Sequence, residues 1–261
     1  MAEFDAWAPY YDLVHTGLPG EAEYYVLRGA QCQGEVLELG CGTGRICIPM
    51  AMTGARVTGL DISRPMLRLC REKLRAVRPV KGSLTVLHAD MRTFDLDKTF
   101  RLVVAPYRTL MHLPTPEDQV RCLQCVRRHL SADGEFVFNV WAAKPSALAR
   151  FPGKKRVARE TLVAQYTISG PGVRLRHFHS VTYDEHRQAI NEQHRFEHLN
   201  SRGKIVHEAL LSLCRAWYTP REMEHLVHRC GFTISEQWGD FAGCPFAESS
   251  AEMIWALKRA D

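Results

Sequence analysis

The sequence predicts an α/β fold: a doubly wound, mostly parallel sheet of seven strands, with a four-stranded antiparallel insertion after strand five. Three observations predict it. Short apolar runs alternate with helical patterns from residue 35 to residue 141, the spacing of repeated strand-helix units. The first run, Glu35-Val-Leu-Glu-Leu, drops into Gly40-Cys-Gly-Thr-Gly44, with glycine at alternate positions. From about residue 154 to residue 218 the hydrophobic period changes to two, with turn compositions between the runs.

Ahead of the first strand, Phe4, Trp7, Tyr10, Tyr11, Leu13, Val14, Tyr24, Tyr25 and Leu27 are interrupted by Gly17 and Gly20. This reads as two aromatic-rich helical pieces joined by a loop. They cover a core, and at Tyr10-Tyr11-Asp12 they are placed to present phenols to a pocket as a lid. The glycine turn opens a helix from Arg45 to Thr53, and the second strand, Val57-Thr-Gly-Leu, ends at Asp61. An acid there, about 20 residues past a glycine turn, suits the two hydroxyls of a ribose. Ser63 is a helix N-cap with Pro65 in the first turn, and Met66, Leu67, Cys70, Leu74 and Val77 follow at helical spacing.

Leu84 to His88 is the third strand, ending at Ala89-Asp90-Met91; Leu102 to Ala105 is the fourth, running into Pro106-Tyr107-Arg108 and then His112-Leu113. Glu117 to Leu130 is an amphipathic helix after a Thr115-Pro start signal, and Asp133-Gly134 turns the chain into a fifth strand, Glu135 to Trp141. The insertion holds runs at 156–168, 173–183, 188–199 and 205–217, separated by Gly170-Pro-Gly, Asp184-Glu-His-Arg and Asn200-Ser-Arg-Gly. Thr219-Pro then starts a helix over Met223 to Arg229, and Phe232 to Trp238 and Glu252 to Lys258 are the last strands. The expected division is therefore 1–153 with 219–261, including lid helices over 1–30, and an insertion over 154–218.

Composition bounds the class. With 261 residues, 46% hydrophobic and 24% charged, the chain is long enough for one sizeable core. No apolar run reaches membrane-helix length and the N-terminus lacks a signal-peptide layout, so the expected location is the cytoplasm. The nine cysteines lie mostly in apolar periodic segments, as buried thiols do; Cys122 and Cys125 have CxxC spacing within a helical pattern, without a second pair. A net charge of +5 tolerates an anionic ligand without demanding nucleic acid, and Lys154-Lys-Arg reads as a solvated turn.

These residues resemble the class I S-adenosylmethionine-dependent methyltransferases, which have a Rossmann-like sheet. The resemblance rests on Glu38-Leu-Gly-Cys-Gly-Thr-Gly44, Leu60-Asp-Ile-Ser63, Ala89-Asp-Met91 and the Asp133-Gly134 turn, where Ala132-Asp-Gly replaces the usual Pro-Gly-Gly. It implies that Gly40, Gly42 and Gly44 lie against the methionine part of S-adenosyl-L-methionine, that Asp61 binds the ribose and that Asp90 and Met91 contact adenine. It also implies that Glu38, Ile62, Met66 and Ala105 belong to the same cofactor surface, and that the product is S-adenosyl-L-homocysteine. The chemistry agrees: the cofactor has no pyrophosphate, and the turn has neither a Walker lysine nor a full GxGxxG. A narrower resemblance, through Tyr11-Asp12, His112-Leu113 and the insertion, is to N,N-dimethyltransferases of nucleotide-linked amino sugars.

The expected reaction is methyl transfer to an amine or hydroxyl of a small molecule. Histidine is the side chain type that exchanges a proton near neutrality, so His112 suits a general base; Tyr11 suits a hydrogen bond to the nucleophile or a ring over the sulfonium. Tyr10, Tyr107 and Arg108 are expected substrate contacts. The competing readings are a protein or nucleic-acid methyltransferase and a non-catalytic cofactor-binding protein. Against base methylation, Ala105-Pro-Tyr-Arg lacks the Asn/Asp-Pro-Pro-aromatic signature, and no basic stripe interleaved with aromatics is present. In the insertion, His177 and His179 share one strand face and Arg174 and Arg176 the other. With no carboxylate at a defined spacing, that histidine face reads as solvated or interfacial rather than as a metal site. The insertion is expected either to roof the pocket or to form a homodimer contact.

Overall fold

Val36 to Leu39 are buried without exception, so β1 (Glu35–Leu39) is a central strand rather than a half-exposed one. In this computed structural model, residues 3–143, 160–167 and 174–261 are described. Two compact units result, Met1–Ala143 with Trp217–Asp261, and Lys144–Ala216.

In the first unit, β1 pairs in parallel with β2 (Arg56–Asp61) on one side and β4 (Phe100–Ala105) on the other. Outside β2 lies β3 (Ser83–His88); outside β4 come β5 (Leu130–Trp141), β11 (Glu252–Arg259) and β10 (Phe232–Trp238), of which β11 runs antiparallel to both its neighbours. The strand order therefore reverses between β1 and β4. In open α/β sheets that switch point, at the carboxyl ends, is where ligands bind. Trp255, Phe100, Phe136, Phe138 and Phe232 fill the core of this unit.

Helices start where the caps predict. Ser63 accepts the Met66 amide at the start of α4 (Arg64–Ala76), and Thr115 accepts the Asp118 amide at the start of α5 (Pro116–His129). Thr219 and Glu222 form a reciprocal capping box on α6 (Pro220–Arg229). The N-terminal pieces are α1 (Tyr11–Val14) and α2 (Glu21–Gln31), and α3 (Cys47–Met52) follows the glycine turn two residues later than its expected start.

Strand five differs from expectation. It begins at Leu130, directly after α5, not at Glu135. Its pairing with β4 jumps from Phe100↔Leu130 to Leu102↔Glu135, so the Asp133-Gly134 turn is a bulge inside the strand. A Cβ on Gly134 would lie 2.9 Å from the Phe100 carbonyl oxygen, which is why glycine stands there.

The second unit is a four-stranded antiparallel sheet in sequence order: β6 (Thr161–Thr167), β7 (Arg174–Asp184), β8 (Ala189–Leu199) and β9 (Ile205–Ala216). Residues 156–159 and 168 of its expected first strand, the start of the second strand at 173, the Gly170-Pro-Gly turn and Lys154-Lys-Arg lie outside the described residues. No helix among the described residues is long and apolar enough to cross a membrane.

Candidate active site

The glycine turn takes its shape from close packing on two sides. Gly44 has φ +89°, and a Cβ there would meet Ile48 Cδ1 at 2.6 Å and Cys70 Sγ at 2.7 Å. A Cβ on Gly40 would meet Thr109 Cγ2 of the loop after β4 at 2.8 Å. Gly42 is different: its φ is +52°, but the nearest atoms to a Cβ would be Gly40 O and Tyr11 Cε1, each at 3.9 Å. The middle of the turn is thus open, and Tyr11 faces it.

Asp61, at the end of β2, is oriented by backbone. The Gly42 amide donates to its Oδ2 at 2.9 Å and the Ser63 amide to its Oδ1 at 2.7 Å. Burial raises its pKa; those two amides and the nearby His112 act in the opposite direction. Asp90 is adjacent, because the Ala89 amide donates to the Asp61 carbonyl at 3.1 Å. The Asp90 carboxyl is gripped by its own loop: the Arg92 amide and guanidinium donate to both oxygens, which lowers its pKa. Ile62 is exposed beside Asp61 and Met91 is half-buried, whereas Met66 and Ala105 are buried.

Glu38 is buried and its pKa is pushed well up by burial; its Oε2 has no hydrogen-bond partner among the described residues. An orphaned buried acid behind an open glycine turn, with a backbone-aligned carboxylate across from it, fits a ligand carrying both an ammonium and a ribose. S-adenosylmethionine is such a ligand.

The N-terminal segment is latched to this turn. Thr43 donates to Asp12 Oδ1 at 2.7 Å and Lys73 of α4 pairs with Asp12 Oδ2 at 2.6 Å. Tyr11 packs on His15, with centroids 4.7 Å apart, and on Phe4 at 5.9 Å. His15 in turn meets Tyr107 edge-on at 5.8 Å, and the Arg45 guanidinium lies 4.8 Å from the Tyr107 ring centroid. Arg45 is anchored by the fully buried Glu21 at 2.8 Å. Burial pushes the Tyr11 phenol up, so it is protonated throughout the neutral range. His112 closes the short 3-10 turn Thr109–His112, with Phe4 edge-on at 4.9 Å and Glu3 Oε2 3.6 Å from its Nδ1.

The structure therefore brings Tyr11, Tyr107 and His112 together with the glycine turn and Asp61. Tyr10 is buried. Arg108, expected at the substrate, is committed elsewhere: its guanidinium pairs with the buried Glu252, whose Oε2 accepts from Asn139 at 2.9 Å, while Asn139 accepts from Tyr25 at 3.0 Å. That network ties the loop after β4 to β11, β5 and α2. In that loop Tyr107 and Arg108 stand at φ +55° and +64°, a left-handed conformation that non-glycine residues rarely adopt. Sequence reading passed over His15, Arg45 and Glu21. His15 had one available signal, its place four residues after Tyr11 on a helical pattern; Glu21 and Arg45 meet only through the fold.

Comparison with known proteins follows the same lines. Residues 36–134 match a family described as a methyltransferase domain, and the protein is an S-adenosylmethionine-dependent methyltransferase. Within that class it is similar to enzymes named for amino-group methylation. Over 230 residues it is 26% identical to the cypemycin N-terminal methyltransferase of a Streptomyces species, covering 86% of this chain and 82% of that one. Over 141 residues it is 27% identical to the dTDP-3-amino-3,6-dideoxy-alpha-D-glucopyranose N,N-dimethyltransferase of Streptomyces fradiae, covering 51% of this chain and about half of that one, 52%. The fold matches that of the CcbJ methyltransferase of Streptomyces caelestis with a TM-score of 0.76 at 23% identity, covering 94% and 91% of the two chains.

Proposed function

We propose that this enzyme transfers a methyl group to an amine of a small molecule, with a hydroxyl as the second acceptor type. The observation that carries the reading is the aromatic and imidazole cluster of Tyr11, His15, Tyr107, Phe4 and His112 gathered over the open glycine turn. The names of the two sequence relatives, one for a peptide N-terminus and one for a sugar amine, favour nitrogen.

S-adenosylmethionine, when bound, would supply a methyl on a sulfonium for in-line displacement, with S-adenosylhomocysteine as the leaving group. The protein's own work is to hold, align and deprotonate. Glu38, the turn at Gly40, Gly42 and Gly44, Asp61 with Ile62, and Asp90 with Met91 form the cofactor surface, and Met66 and Ala105 pack behind it. The rings of Tyr11 and Tyr107 exclude water and favour a cationic centre by up to ~2 kcal/mol when desolvated. Tyr11, held protonated, serves as a hydrogen-bonding group rather than a base. His112 takes the proton released from the nucleophile's nitrogen or oxygen; most of the rate enhancement comes from alignment.

The test combines calorimetric titration of the cofactor with turnover on a panel of primary and secondary amines. Asp61→Ala is expected to weaken cofactor binding about tenfold to a hundredfold, the loss of one or two charge-assisted hydrogen bonds. His112→Ala and Tyr11→Phe are expected to leave cofactor affinity within a factor of about three. Turnover in His112→Ala should fall about 10²- to 10⁴-fold, the usual range for a general base. Equal losses of binding and turnover in His112→Ala would make that residue structural, and methylation of alcohols but no amine would overturn the choice of nitrogen.

A further inference from the structure

The four-stranded sheet contains a constellation that methyl transfer does not use. The β7–β8 register sets His179 directly opposite His194, with Glu192 two residues along β8 on the same face. His179 Nε2 lies 3.8 Å from Glu192 Oε1, and His194 Nε2 lies 3.8 Å from Glu192 Oε2. One donor atom from each residue falls within 4.8 Å of the other two. The sequence could not reveal the carboxylate, because its spacing to His179 exists only across the strand pair.

We infer that His179, Glu192 and His194 form a binding site for a divalent transition metal of the zinc type, with solvent as a further ligand. Two imidazoles and one carboxylate are a donor set that zinc accepts, in sites that leave a fourth position open. Ligand atoms about 2.0–2.2 Å from a tetrahedral ion lie about 3.3 Å from one another, so the three side chains need close in only by side-chain rotation.

The groups around the donors are arranged as supports. His177 Nε2 and His194 Nδ1 are 2.8 Å apart, so the second nitrogen of His194 is engaged and its Nε2 is aimed at Glu192. That is the outer-shell contact by which ligating histidines are commonly oriented. His177 is itself pinned, stacked on Phe196 at 4.5 Å with an interplanar angle of 13°. Arg215, reaching from β9, donates to Glu192 Oε1, which leaves Oε2 as the metal-facing atom. His179 is 27% exposed, which gives an ion a way in. The only like charge against the donors among the described contacts is Arg215, and it is balanced by Glu192 itself.

The test uses full-length protein without a polyhistidine tag, stripped with a chelator and returned to buffer. Titration with Zn²⁺ should show one equivalent bound, and His179→Ala, Glu192→Gln and His194→Ala should each weaken it by about a hundredfold, as loss of a ligand does. His179→Ala is the lead variant because the ring is partly exposed; its thermal midpoint without metal should equal that of the parent. A buried thiol cluster, Cys41, Cys47 and Cys70, is the competing site in the other unit. Co²⁺ separates the two: visible d–d bands without a near-ultraviolet thiolate charge-transfer band support the histidine site. No zinc uptake by the parent, uptake unchanged in His179→Ala, or a thiolate band would overturn it.

Discussion

Asp61 and Glu192 are both sheltered acids on β-strands, and they are held by different means. Asp61 accepts from two backbone amides, Gly42 and Ser63, whose positions follow from the turn and the cap on either side of it. Glu192 is held by side chains alone, Arg215 from β9 and the imidazoles of His179 and His194. The first arrangement survives changes in neighbouring side chains but depends on glycine geometry. The second depends on register, since a shift of one residue in the β7–β8 pairing would turn His179 away from Glu192.

The largest expected effect separates two glycines within the backbone-built site. Gly44→Ala places a methyl group against Ile48 and Cys70 at φ +89°, combining a left-handed penalty of about 1–2 kcal/mol with overpacking of about 1–3 kcal/mol. Its thermal midpoint should fall steeply, or the protein should not accumulate. Gly42→Ala carries only the conformational cost of about 1 kcal/mol, because its Cβ points into open space. It should fold and yet bind the cofactor at least about tenfold more weakly. Equal thermal midpoints for the two variants would break the distinction between packing glycine and ligand-facing glycine.

Arg108 blurs the comparison, for it is a side-chain-built element inside the first unit. Arg108→Met leaves Glu252 buried and without its cation, and should cost about 3 kcal/mol of stability, read as a lower midpoint in urea. Adding Glu252→Gln should recover most of that loss, because the neutral amide can still accept from Asn139. Recovery of stability without recovery of turnover would show that the ion pair's remaining task is to hold Tyr107 and Arg108 in their left-handed conformation.

The same division explains what the sequence discloses. The strands, the caps at Ser63, Thr115 and Thr219 and the turn at Gly40 to Gly44 depend on residues a few positions apart, and they stand where periodicity and capping put them. The start of β5 was hidden because a turn signal at Asp133-Gly134 marks a bulge as readily as a boundary. Glu21 with Arg45, Arg108 with Glu252 and His179 with Glu192 meet through tertiary packing or strand register, and no local pattern announces such partners. Arg108 shows the consequence: a cation next to a binding loop reads as a ligand contact until its buried acid is known.

The smallest effect tests the comparison at its finest, between two acids on one sheet edge. Burial raises the pKa of Asp61, while Arg92 lowers that of Asp90. For Asp90 the folded value lies below the unfolded one of about 3.9, so its contribution is present above that pH and is lost as pH falls through the folded value. For Asp61 the sign is opposite: its contribution is present below about 3.9 and is lost as pH rises through the higher folded value. At pH 7 Asp90→Asn should therefore destabilise by up to about 1 kcal/mol, since the Arg92 pair is partly exposed and screened. Asp61→Asn removes a charge that burial disfavours but turns an NH₂ toward one of the two backbone amides that donate to Asp61, so it should cost about 1 kcal/mol while impairing cofactor binding. Salt distinguishes the holding groups as well. Raising ionic strength should move the Asp90 carboxyl, followed by ¹³C resonance, toward its ordinary value, and leave Asp61 in place because amide dipoles at contact are not screened by ions. Two carboxyls moving together with salt would mean that Asp61 is governed by charged neighbours such as His112 rather than by the backbone of the glycine turn.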